Sequence, residues 1–163
     1  IMAKTTPKKV YIFKVALTGN KRIWRRIAIR GDQTLGKLHD AIFKAFDRYD
    51  FHLYSFYFPQ PGSRGRARRR GADEYTHPFV LEDDPFAREG IQNAEKTKID
   101  SLELEVGQSF DYLFDFGDSW EHVITVEETE AQAEKGIYPR ILEKCGESPP
   151  QYPEPEEYDA DEE

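Results

Sequence analysis

Cysteine is nearly absent. Cys145 is the single one in 163 residues, so no disulfide within the chain braces the fold. Long apolar runs are missing as well: none approaches the ~18 residues of a membrane-spanning helix, and Ile1-Met2-Ala3-Lys4 is not the apolar stretch of a secretory signal. These absences predict a cytoplasmic protein. There is no Gly-rich phosphate loop, Cys-x-x-Cys pair, His-Glu-x-x-His helix or nucleophile elbow, so no motif names a cofactor. A basic excess is lacking too. The net charge is −8, and because residues 154–163 hold seven acids and no base, the remainder is close to neutral. A global basic footprint for nucleic acid is thereby excluded, leaving only local patches.

What the chain has is rings. Eleven Phe and nine Tyr in a sequence that is 33% charged predict a core of aromatic side chains on strands rather than of Leu-rich helices. Val10 to Leu17 alternates, with Tyr11, Phe13, Val15 and Leu17 on one face, and Arg22 to Arg30 alternates again around Ile23, Ile27 and Ile29. Gly19-Asn20 between them predicts a tight hairpin turn with positive φ. From Thr34, a good N-cap, the period becomes helical through about Arg48, and Leu35, Leu38, His39, Ile42, Ala45 and Phe46 form one stripe. His39 on that stripe is expected to be a hydrogen-bonded core residue.

His52 to Phe58 predicts a third strand and Tyr75 to Leu81 a short return strand. The Gly/Pro-rich segment between them predicts an exposed, mobile loop, and Glu82 to Thr97 loop with one short helix. Phe110, Tyr112, Phe114 and Phe116 alternate, and after Gly117-Asp118 so do Trp120, His122, Ile124 and Val126, a second hairpin. Glu130 to Lys135 reads as a short helical stretch, Tyr138 to Pro153 as a proline-rich surface wrap, and residues 1–8 and 154–163 as disordered ends. The fold expected is therefore α+β: one domain over residues 9–153, with a mainly antiparallel or mixed sheet of two hairpins plus extra strands packed on one principal helix.

Leu38-His39, the His52-Leu53-Tyr54 segment with Phe56, the block Tyr112 to His122 and the Tyr138-Pro139 to Pro149-Pro150 stretch together resemble the plasmid pRiA4b ORF-3-like family. The resemblance runs from residue 10 to 153, and the aromatic-Asp-Phe-Gly-Asp-x-Trp-x-His block is its specific part. It implies a small α+β protein in a plasmid or transposon setting, some relatives being labelled transposon resolvases. Where many relatives end in a Cys-Pro-Pro-Glu-Asp type sequence, this chain has Ser148-Pro149-Pro150-Gln151-Tyr152.

The resolvase label does not survive chemistry. The first serine, Ser55, lies in an aromatic strand rather than in an early arginine-rich nucleophile site, and none of His39, His52, His77 or His122 is followed three residues later by arginine. Three readings remain. A non-catalytic binding module would use the arginines Arg64, Arg66, Arg68, Arg69 and Arg70, with Trp24 and Arg26 on a neighbouring strand face, to contact nucleic acid or an acidic protein. A metal-dependent hydrolytic enzyme would centre on Asp115, Asp118 and His122, with His52 as a further ligand; the plain alternative is that Asp118 closes the turn and His122 is a buried, hydrogen-bonded core residue. An adaptor would act through the acidic, Pro-rich tail.

Overall fold

Alternation in the sequence becomes one continuous sheet. The computed structural model describes residues 9–65, 67–83 and 90–152. Strands β1 (Val10–Leu17) and β2 (Trp24–Arg30) form the first hairpin, followed by helix α1 (Leu35–Ala45) and strand β3 (Tyr54–Phe58). Helix α2 (Ala67–Arg70), strand β4 (Asp73–Thr76), helix α3 (Pro78–Asp83) and strand β5 (Gln92–Asn93) come next. Strands β6 (Ser109–Phe114) and β7 (Trp120–Ala131) form the second hairpin, and β8 (Arg140–Cys145) ends the sheet. The strand order is β5-β4-β3-β6-β7-β1-β2-β8, antiparallel throughout except for the parallel β4–β5 pair. The architecture is thus α+β and a single domain, with the sheet dominant.

α1 forms where its side chains dictate. Thr34 Oγ1 accepts from the Lys37 backbone N–H at 3.3 Å and caps the first turn. Leu35, Leu38, Ile42 and Ala45 are fully buried against Phe13, Ile27, Ile29, Phe110 and Tyr112. Truncating one such residue, as in Leu38→Ala, costs about 2–5 kcal/mol. His39 is buried as expected: its Nδ1 lies 2.6 Å from Tyr112 Oη and its ring stacks on Tyr54 at 3.8 Å. Among the described residues no helix is long and apolar enough to cross a membrane.

Several local expectations are corrected. The first hairpin is real, but neither Gly19 nor Asn20 has positive φ. The connection is a wider loop over residues 18–23, closed by Leu17 N–H to Ile23 O at 3.1 Å and by Asn20 Oδ1 accepting from Arg22 N–H at 3.2 Å. At the second hairpin the positive φ values fall on Asp115 (64°) and Ser119 (53°). Asp115 Oδ1 closes that turn, accepting from Gly117 N–H at 3.1 Å and Asp118 N–H at 3.2 Å, so Asp118 is not the closing residue.

The third strand begins at Tyr54 rather than His52. The return strand is β4 alone; Pro78 starts a helix that His77 caps through Phe79 N–H at 3.0 Å. Ala67–Arg70 is a helical turn inside the expected arginine loop. Residues 130–131 continue β7, since Val10 pairs with Ala131. Residues 140–145 are a strand because they carry no proline and pair with β2 in register Trp24↔Cys145. The expected disorder of 1–8 and 154–163 lies outside the described residues.

Topology brings one end of the molecule together. Because β1 pairs with β7, Leu17 lies opposite His122 and Thr18 N–H donates to Glu121 O at 2.9 Å, so the tips of both hairpins share a pole. The end of α1 reaches the same pole, and so does residue 146 onward, since β8 ends beside Trp24.

Candidate functional site

At this pole the core turns cationic. Arg25 falls on the inward parity of β2, between Ile23 and Ile27, and is 2% exposed. Each of its nitrogens is engaged: Nε donates to Ala45 O at 2.8 Å, Nη1 to Trp24 O at 2.8 Å and to Cys145 O at 2.9 Å, and Nη2 to Ser148 Oγ at 2.7 Å. Arg48, just past α1 and 8% exposed, is different. Its Nη2 donates to His122 Nε2 at 2.8 Å, whereas its Nη1 is buried with no hydrogen-bond partner. Three rings surround the Arg48 guanidinium carbon, Phe46 at 5.2 Å, Phe114 at 5.0 Å and Trp120 at 5.3 Å. Phe46 also carries the Arg25 guanidinium, at 4.9 Å.

Neither arginine has a carboxylate within ion-pair distance among the described residues. Burial pushes the Arg48 guanidinium down to about 10, which leaves it protonated at neutral pH. His122 is completely buried and held well below its usual range by that burial and by Arg48. As an acceptor from Arg48 through Nε2, it carries its proton on Nδ1 and donates to Tyr112 O at 3.2 Å. Trp120 Nε1 is a second buried donor without a partner.

Trp120 also lines a cleft of about 590 Å³ between the hairpin tips, together with Leu17, Asn20, Ile23, Asp118 and Pro149. One wall is the segment after β8, which crosses back over the end of α1. Gln151, 3% exposed, accepts through Oε1 from Tyr49 N–H at 2.9 Å and Asp50 N–H at 3.1 Å, and donates through Nε2 to Asp50 O at 2.8 Å. Tyr152 Oη donates to Asp50 Oδ2 at 2.6 Å and receives His52 Nε2–H at 2.6 Å. The bond to Asp50 pushes the Tyr152 phenol up to about 12. Residues 146–152 are therefore a strap latched to the 49–52 loop.

The expected metal residues divide between two surroundings. His52 Nε2 lies 3.5 Å from Asp115 Oδ2 and 3.4 Å from Asp50 Oδ2, and Asp118 follows on the same turn. His122 instead faces Arg48, Tyr112 and Phe46, and both its ring nitrogens are used. Among the described residues, no group of three or more His, Cys, Asp or Glu side chains is disposed to hold a metal ion.

The expected arginine surface is partly spent. Arg68 makes a forked contact with Asp111, Nε at 3.1 Å and Nη2 at 3.0 Å, and reaches Ser109 Oγ at 3.1 Å. Arg69 pairs with Glu121 at 3.0 Å over the Tyr57 ring. Arg26 pairs with Glu127 at 2.6 Å and Glu143 at 2.8 Å, and with Lys14 it flanks Trp24. Arg64 and Arg70 are exposed; Arg66 lies outside the described residues. Sequence reasoning missed Arg25, Arg48, Asp50, Gln151 and Tyr152. Only Arg25 had a signal, its parity on β2.

Comparison with known proteins agrees with this architecture. A family model described as plasmid pRiA4b ORF-3-like protein matches residues 9–154. An uncharacterized protein, y4hQ, of Sinorhizobium fredii is 32% identical over 131 residues, which cover 79% of this chain and 58% of that one, so the chain spans little more than half the length of this relative. The crystal structure of a protein of unknown function, MM3350 from Methanosarcina mazei Go1, superposes with a TM-score of 0.67 at 25% identity, covering 90% of this chain and 74% of that chain.

Proposed function

The chain belongs to the plasmid pRiA4b ORF-3-like protein family, and on that premise we propose that it is a non-catalytic binding module whose site is the cleft between the hairpin tips. The observation that carries this reading is the cleft itself: about 590 Å³, walled by Leu17, Ile23, Trp120 and Pro149 with a few polar groups at its rim. Its size and lining are those of small-ligand pockets, about 300–1,000 Å³ and mostly apolar. The nearby titratable groups are engaged in structure: His122 through both ring nitrogens, Asp115 in its turn and His52 with Tyr152.

Backbone amide NMR with aromatic probe fragments (benzoate, benzamide and indole) tests it. Shifts confined to residues 17–23 and 118–121 support the site. An absence of shifts at millimolar probe, or shifts spread over the whole sheet, removes it.

A second reading, contact with nucleic acid, is favoured by exposed Arg64 and Arg70, which have no ion-pair partner among the described residues. Replacing both with serine should lower the salt slope of duplex DNA binding by about 2 if each neutralises one phosphate. An unchanged slope, or no binding by the parent at low salt, discards this contact.

A further inference from the structure

We propose that the cleft takes a small organic carboxylate, anchored by the Arg48 guanidinium and the Trp120 indole N–H. This rests on the cleft being the binding site and adds the chemical class of what binds there.

The argument starts from an imbalance. Arginine is seldom buried without a partner, because removing a guanidinium from water is costly unless its donors are satisfied and its charge is met. Arg25 shows the ordinary solution, with four hydrogen bonds to neutral oxygens. Arg48, on the other side of Phe46, has one hydrogen bond to His122, a cage of three rings and a buried Nη1 with no partner. Trp120, one ring of that cage, has its own buried N–H without a partner. Two vacant donors on two contacting side chains, beside two buried cations with no carboxylate within ion-pair distance among the described residues, suit an acceptor with two oxygens and one negative charge.

Trp120 connects this pair to solvent, because it lines the cleft and also lies over the guanidinium. Both vacant donor atoms are buried, so a ligand engages them by tilting the Trp120 ring. The rim argues against a more highly charged anion. Asp118 and Glu121 face the cleft; Glu121 is neutralised by Arg69, while Asp118 has no ion pair among the described residues and opposes a dianion more than a monoanion. A carboxylate with an apolar body therefore fits better than phosphate, its body against Leu17, Ile23 and Pro149.

The test uses the intact chain and its two tryptophans, whose indole N–H signals separate site from background, since Trp24 lies on the other face of β2 between Lys14 and Arg26. Benzoate, benzamide and inorganic phosphate are titrated in turn. The expected result is a saturable shift of the Trp120 indole signal by benzoate, with benzamide weaker by about tenfold or more and Trp24 unmoved. Trp120→Phe, which keeps a ring and removes the donor and is followed through the backbone amides of residues 17–23 and 118–121, should weaken benzoate several-fold. Equal binding of benzoate and benzamide would overturn the anionic anchor while the cleft reading stood. Tighter binding of phosphate would overturn the carboxylate class, and no shift by any probe would overturn both readings. Arg48→Met adds a check: benzoate selectivity should vanish in a variant whose fold is verified by its amide spectrum, and its persistence would exclude Arg48.

Discussion

Two histidines kept neutral by burial should make this protein acid-sensitive well above the carboxylate range. His39 is pushed down to about 3 by burial, and His122 is held well below its ordinary value by burial and by Arg48. In the unfolded chain both titrate near ~6.5. Below that pH the unfolded state binds protons that the folded state refuses, so stability is full above about pH 7 and falls as the pH drops toward the folded values. From about pH 7 to 5, His39 alone costs about 2 kcal/mol, against a typical total of about 5–15 kcal/mol, and His122 adds to the loss in the same direction. Urea unfolding at about pH 7, 6 and 5 measures the loss. His39→Asn removes one of the two groups, so its stability, whatever its starting value, should fall over the same interval by about 2 kcal/mol less than the parent's. A variant whose stability falls as steeply as the parent's would refute the assignment, and a flat parent profile would refute the burial of both rings.

Two further perturbations test the pole and the frame around it. Asp115→Ala places a β-carbon residue without a capping oxygen at φ 64° and removes two hydrogen bonds in the turn, for a loss of about 2–3 kcal/mol in thermal unfolding; Asp115→Asn should keep most of it. At Gly31 an added β-carbon would land on the Asp100 carboxylate, which accepts from Tyr11 Oη at 2.9 Å. Gly31→Ala should therefore break that bond at about 1 kcal/mol, and spectrophotometric titration should show the Tyr11 phenol, held up to about 12 by burial and then by Asp100, moving back toward its ordinary range.

Legibility in the sequence follows how local each cause is. Strict alternation in 10–17 and 120–126 and the Thr34 cap act over a few residues, so both hairpins and α1 could be read directly. The fusion of the hairpins through β1 and β7 depends on contacts more than a hundred residues apart, which no local pattern announces. Proline obscured β8: Pro139, Pro149 and Pro150 made the whole stretch look irregular, although 140–145 contains none. Among site residues, Arg25 could be read from parity on β2, one step from isoleucines. Arg48 could not, because it follows the end of a helix where periodicity stops predicting direction. For His122 the sequence left a metal ligand and a buried core residue both open; it lies in the core, and the cation that uses its Nε2 comes from the far end of α1.

The strap shows how a departure from the family's expected ending can leave a latch intact. Gln151 makes three hydrogen bonds to the 49–50 backbone, accepting two and donating one. Glutamate, the residue of the Cys-Pro-Pro-Glu-Asp form, could accept the same two, each strengthened by charge, but could not donate to Asp50 O. If acceptance holds the strap, Gln151→Glu should protect the Tyr49 and Asp50 amides from hydrogen exchange as well as the parent does. Gln151→Ala, which loses all three bonds, should expose them and lower stability by about 1–3 kcal/mol. Should Gln151→Glu exchange as fast as Gln151→Ala, the donor bond to Asp50 O carries the latch, and the glutamine here marks a different way of closing the cleft wall from that of relatives with an acidic pair.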